Sequence, residues 1–158
     1  MKAEYINPFV NATVEAFDKM LGCQVRRGPL TLKTERGTNF DISGVIGLSG
    51  NAIGTVVLSF SKELALKASG ALLMSEMTEI SDEVVDAVGE LTNMVAGAAK
   101  SKLEELELSI SLPNVITGKG HEIRFPSEVT PICIPFESEW GPLTVEVGLA
   151  SVVAPVGT

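Results

Sequence analysis

Ser81-Asp-Glu-Val-Val-Asp86-Ala-Val-Gly-Glu90-Leu-Thr-Asn93-Met-Val-Ala-Gly97-Ala-Ala-Lys100 reads as one long helix that stands at the centre of the chain's logic. Ser81 is a strong N-cap residue, and Asp82 and Glu83 complement the helix dipole in the first turn. With 3.6 residues per turn, Val84, Val88, Leu91 and Val95 share one face, the expected core stripe. Asp86, Glu90, Asn93 and Gly97 share the opposite face, stacked at helical spacing. The residues between are small or apolar, so the polar strip is narrow, and it ends in a glycine that would let another backbone come close. An interior Asn costs a helix about 0.5–0.7 kcal/mol relative to Ala, and each of Gly89 and Gly97 up to about 1 kcal/mol. A helix selected only for stability would replace all three. The strip also lacks the cations that solvent-facing helices use in Glu–Lys pairs until Lys100. Geometry alone leaves three readings open: a functional strip, a solvated face, or a groove for another helix.

Working outward, this helix is expected to run to about Glu105. Before it, Ser61 caps a second helix from Lys62 to about Met74, and Asn7-Pro8 marks the start of a first one that Gly22 ends. Between the first and second helices the texture is that of strands. Leu30-Thr-Leu-Lys-Thr34 alternates, Phe40 to Leu48 is apolar and glycine-rich, and Ile53 to Phe60 is a β-branched run. Ser49-Gly50-Asn51 is a hairpin signal between the last two. After the long helix come strand-like pieces at Ser109–Leu112, Val115–Thr117, Val129–Phe136 and Leu143–Val153. The order helix, strands, helix, helix, strands predicts an α+β fold with a mainly antiparallel sheet. Its two helix-plus-strands halves suggest an internal duplication. No linker divides residues 1–158, so one domain is expected.

The chain has 158 residues, 45% apolar and 20% charged, within the ordinary globular range. Its formal net charge is −8, spread along the chain with no cluster of Lys and Arg to offset it, which argues against nucleic acid as a partner. No apolar run reaches membrane-spanning length, and the acidic, proline-bearing N-terminus does not read as a signal peptide. A cytoplasmic protein with Cys23 and Cys133 as reduced core residues is the expectation. There is no His/Cys/carboxylate cluster with metal-ligand spacing. The single histidine, His121, lies in a Gly118-Lys-Gly120 turn and is expected to be an exposed turn residue rather than a catalyst.

Asp86, Glu90 and Asn93, at spacings of four and three, strongly resemble the signature helix of the CheX/CheC family of bacterial chemotaxis phosphatases. The opening Tyr5-Ile-Asn-Pro-Phe9 and the strands after the signature helix extend that resemblance over nearly the whole chain. Two departures qualify it. The family's downstream proline is matched by Pro113 at a slightly short distance from Asn93. The second Glu/Asn pair common in CheC does not appear in a helical context, because Glu4 and Asn7 stand directly before Pro8, so the single pair places the chain nearer CheX.

The resemblance implies hydrolysis of the phosphoryl-aspartate on a CheY-type response regulator. It implies that Asn93 orients the attacking water, that Glu90 docks a lysine of the regulator, and that Asp86 and Gly97 contact the partner. It also implies no cofactor of the chain's own, since the Mg²⁺ is held by the response regulator. A homodimer is expected from the family. A second ground for it is the apolar stretch Val145 to Val156, whose only charge is Glu146 and which as an exposed strand would pair at its edge; core burial is the alternative for that stretch. Two other functions remain open, a non-catalytic module that binds phosphorylated receiver domains and a flagellar-switch-like structural protein.

Overall fold

The long helix forms where its caps and apolar stripe place it. In the computed structural model, which describes residues 3–32, 40–125 and 129–152, the helix (α3, Asp82–Ser101) begins at Ser81, whose Oγ accepts the Val84 N–H at 3.4 Å. Val84, Val88, Leu91 and Val95 are fully buried. The helix ends at Ser101, four residues short of the expected Glu105. There the Lys102 N–H turns back to the carbonyls of Ala99 and Lys100, Leu103 inserts into the core, and a single 3₁₀ turn follows over Glu104–Leu106. Burying Leu103 wins over another helical turn that would carry Glu104 and Glu105.

The first helix (α1, Ala3–Leu21) starts earlier than Asn7-Pro8 suggests and contains Pro8. Proline inside a helix costs about 3 kcal/mol. Ile6 and Phe9, on either side of it, are both buried, and each contributes about 1.5–3 kcal/mol, enough to hold the turn. Glu4 and Asn7 are therefore on a helix after all, both exposed. The next turn carries Asn11 where α3 has Gly97, so the strip of α3 is not repeated there. The second helix (α2, Lys62–Leu73) is capped by Ser61, whose Oγ accepts the Leu64 N–H at 3.2 Å, and ends at Met74 in the left-handed region.

Among the described residues, eight strands form one antiparallel sheet: β1 (Val25–Arg27), β2 (Thr31–Leu32), β3 (Ile42–Ser49), β4 (Ala52–Phe60), β5 (Ser109–Ile110), β6 (Asn114–Thr117), β7 (Ile132–Ser138) and β8 (Leu143–Ser151). The order is β1-β7-β8-β4-β3-β5, with β2 also on β7 and β6 also on β3. The β3–β4 hairpin turns at Gly50, as its sequence suggests. Lys33 and Thr34 of the alternating run, and Val153 to Val156, lie outside the described residues. Ile46, Val56, Val147 and Ile132 are cross-strand neighbours in one row of the inner face, and the three helices cover that face. β8 sits between β7 and β4, so the edge-pairing reading of the C-terminal stretch fails. Leu143, Val145 and Val147 are core residues instead. Among the described residues, no helix is long and apolar enough to cross a membrane.

Candidate functional site

α3 lies on the β3 side of the sheet, and a missing side chain fixes its height. Thr92 is fully buried, and its hydroxyl donates to the Val88 carbonyl at 2.7 Å. It rests on Gly44 of β3 so closely that a Cβ there would come within 2.8 Å of Thr92 Cβ. Neither residue stood out in the sequence, because their meeting depends on which strand passes beneath the helix.

The flank of the helix is set by an irregularity in the sheet. Ser109 and Ile110 pair with Ser49 and Leu48, and the Ser111 N–H donates to the Gly47 carbonyl at 2.9 Å. Beyond that point the register slips by one, since Asn114 pairs with Val45. Leu112 and Pro113 therefore both face Ile46, a β-bulge. Pro113 packs beside Gly89 of α3, where a Cβ would sit 3.7 Å from the proline Cγ and 3.4 Å from Val115 Cγ2. The proline expected in the turn after the helix is thus a side support of the helix.

The four strip residues are brought together as the spacing requires. Asp86 and Glu90 are exposed, while Asn93 and Gly97 are half-buried. Gly89 and Asn93 are separated by about 40° around the helix, and Glu90 lies about 60° further round. Asn93 therefore leans toward the Pro113 flank and Glu90 stands away from it. Among the described residues, no hydrogen bond or ion pair engages Asp86, Glu90 or Asn93. Nothing lies within 4 Å of where a Cβ on Gly97 would be, so no contact inside the chain demands that glycine. Two hollows lie elsewhere, one lined by Leu66, Gly70, Met74, Met77 and Trp140, the other by Asp41, Lys62, Thr117 and Lys119. A strip of unengaged polar groups along one helix face suits a macromolecular surface better than a small molecule, which needs a concavity.

His121 departs from the expected exposed turn. It is half-buried on the outer face of the sheet, with Nδ1 2.7 Å from the Gly118 carbonyl and Nε2 2.6 Å from Ser43 Oγ. Since a carbonyl can only accept, Nδ1 carries the proton, and Nε2 of the neutral ring accepts from Ser43. Ser43 and Ser59 then share a 2.6 Å bond across the buried β3–β4 pair. This chain ties the turn after β6 to the sheet, on the face opposite α3. Cys23 and Cys133 form no disulfide. They point to opposite sides of the sheet, Cys23 into the core beneath α1 and Cys133 in the outer row beside Glu146. No group of three or more His, Cys, Asp or Glu able to hold a metal occurs among the described residues.

Comparison with known proteins places this geometry in context. Residues 42–137 match the family described as Chemotaxis phosphatase CheX. The CheY-P phosphatase CheX of Thermotoga maritima is 30% identical over 127 residues, covering 78% of this chain and 82% of its own length. Among solved structures, a CheC-like superfamily protein from Shewanella sp. PV-4 superposes with a TM-score of 0.89 at 32% identity, over 96% of this chain and 100% of its own. A chemotaxis protein CheX from Desulfovibrio desulfuricans does so with a TM-score of 0.86 at 34% identity, over 93% and 99%.

Proposed function

The chain belongs to the CheX family of chemotaxis phosphatases, and from that premise we propose that it hydrolyses the phosphoryl-aspartate of a CheY-type response regulator. The observation that carries the reading is the state of Glu90 and Asn93. They stand one turn apart on a helix braced by Gly44 and Pro113, and among the described residues no hydrogen bond or ion pair engages either side chain. A carboxylate and an amide held ready but unused suit a site completed by another protein.

The chemistry asks little of the chain. Phosphoryl transfer is limited by positioning and charge stabilisation, and an acyl phosphate is already a labile mixed anhydride. The Asn93 amide is no base at neutral pH. Its carbonyl oxygen can accept a hydrogen bond from water and hold it in line with phosphorus. Attack forms a new phosphorus–oxygen bond, the bond to the aspartyl oxygen breaks, and inorganic phosphate and a free carboxylate leave. Glu90 docks a lysine of the regulator by a charge-assisted bond that fixes the register of α3 on its partner. Asp86 adds a supporting contact, and Gly97 admits the partner's backbone. In this reading a Mg²⁺ would be held by the regulator's own residues and would supply charge neutralisation at the phosphoryl group.

The test is loss of phosphate from a phosphorylated CheY-type regulator with the wild-type chain and Asn93→Ala side by side. Acceleration by the wild type that the variant loses, about a hundredfold for a displaced water, supports the reading. If both are inert on every receiver domain of the same cell, the chain is a binding module and the catalytic reading is wrong.

A further inference from the structure

We propose that Leu112, carried on the β-bulge beside α3, is an apolar docking contact for the phosphorylated receiver domain, on the flank toward which Asn93 leans. This rests on the phosphatase reading above. Leu112 is 87% exposed. Single exposed leucines are common on protein surfaces, so exposure by itself says little. What sets this one apart is how it is held.

The extra residue of the bulge sits opposite Ile46, one strand from the helix. Ser111 fixes it three ways. Its N–H donates to the Gly47 carbonyl and its Oγ accepts the Gly47 N–H, each at 2.9 Å. The same Oγ donates to the Leu112 carbonyl at 2.9 Å. Pro113, the next residue, is wedged against Gly89 and cannot rotate about φ. Leu112 is thus presented from a backbone clamped on both sides, with its side chain in water. Bulges beside active sites commonly re-aim a side chain in this way.

Scale supports the partner assignment. A stable protein interface buries about 800 Å² on each side, roughly a disc 16 Å in radius. The strip of Asp86, Glu90, Asn93 and Gly97 is too narrow to fill that disc, so the flanks of α3 must contribute. Leu112 is one Cα–Cα step of about 3.8 Å from Pro113, which touches α3 one turn before Asn93. A surface of that size centred on Asn93 reaches the flank that Pro113 and Leu112 form. On the opposite flank the half-buried Met94 is the nearest large apolar side chain of α3, so the polar strip is bracketed by apolar groups.

The experiment uses the full chain as wild type, Leu112→Ala and Leu112→Met, with a CheY-type regulator phosphorylated by a small acyl phosphate. The expected result is a half-saturating regulator concentration raised about tenfold in Leu112→Ala, with kcat within twofold and the thermal midpoint unchanged. Leu112→Met, which keeps the apolar volume, should restore it. An unchanged half-saturation overturns the proposal, as does a loss confined to kcat. So does a change in sedimentation of Leu112→Ala alone, which would assign the residue to a contact between copies of this chain. A direct binding titration separates this proposal from the phosphatase reading. If the wild type binds the regulator without accelerating phosphate loss, hydrolysis is wrong but a tenfold weaker Kd for Leu112→Ala still upholds the docking role. Equal Kd values, or no binding by the wild type, end it.

Discussion

Thr92 and Gly44 meet where the signature helix touches the sheet, and the absent side chain of Gly44 lets α3 sit as deep as it does. A Cβ at Gly44 would lie 2.8 Å from Thr92 Cβ and 3.1 Å from Thr92 Cγ2. Thr92 precedes Asn93 directly, so the depth of this contact also sets the height of the proposed water-orienting amide.

Gly44→Ala tests that link. The methyl must displace a fully buried threonine whose hydroxyl is already bonded to Val88, and overpacking of this kind costs about 1–3 kcal/mol. Denaturant titration should show that loss. Phosphatase activity should fall further than stability explains, because α3 is lifted from its seat. Gly44→Ala combined with Thr92→Ala removes the threonine hydroxyl and Cγ2 but keeps its Cβ, so it should recover part, and only part, of both. Full activity in the single variant would show that the height of α3 does not matter.

Glu90→Gln keeps the shape of the side chain and removes its charge. If Glu90 docks a lysine, the lost charge-assisted bond is worth about 1.5–3 kcal/mol, a rise of about ten- to hundredfold in half-saturation. Folding should be untouched, since Glu90 is exposed and its side chain makes no hydrogen bond or ion pair among the described residues. Salt gives an independent reading. Wild-type half-saturation should climb with ionic strength as the pair is screened, and the variant's should climb less steeply. Parallel salt slopes would remove Glu90 from the docking role.

What could be read in the sequence was what short-range chemistry determines. Ser61 and Ser81 cap their helices, Gly50 turns the hairpin, and the apolar stripe and polar strip of α3 fall where a 3.6-residue period puts them. The rest depends on partners distant in sequence. Pro8 signals a helix start locally, but burial of Ile6 and Phe9 carries the helix through it. The bulge at Leu112 and Pro113 exists only relative to β3, more than sixty residues earlier. His121 looked exposed because its acceptor-to-donor chain runs to Ser43, 78 residues away. The apolar C-terminal run could be an edge or a core strand by composition, and only the sheet order decides in favour of the core. The polar strip of the proposed site was therefore legible as one face of a helix, and the scaffold that aims it was not.

Cys23 gives a prediction about pH. Burial pushes its thiol above the ordinary value of 9.0; a hydrogen bond with Ser138 pulls it partly back, and the charge of Glu139 adds to the rise. The folded chain therefore holds this proton to higher pH than the unfolded chain does. The contribution is fully present below about pH 9 and is lost as pH rises from there through the folded value. Stability measured from pH 8 to 10.5 should decline, and Cys23→Ala should decline less steeply over the same range. At pH 7 an alkylating reagent should leave Cys23 unlabelled until the protein is unfolded. Rapid native labelling would contradict both the burial and the direction of the shift.

Gly97 separates what the chain needs from what a partner needs. It sits inside α3, where glycine is less favourable than alanine by about 1 kcal/mol, and among the described residues nothing beyond its chain neighbours and the local helix backbone lies within 4 Å of the position a Cβ would take. Gly97→Ala should therefore stabilise the free protein by up to about that amount, raising the thermal midpoint by roughly 2–4 °C for a chain of this size. If a regulator's backbone closes on this face during turnover, the same methyl should raise half-saturation for the phosphorylated regulator, and Gly97→Leu should raise it more while still folding. A variant that is both more stable and less active would locate the demand for glycine in the complex. A variant that is more stable and equally active would show that the partner never approaches Gly97, and would confine the docking surface to Asp86, Glu90, Asn93 and the bulge.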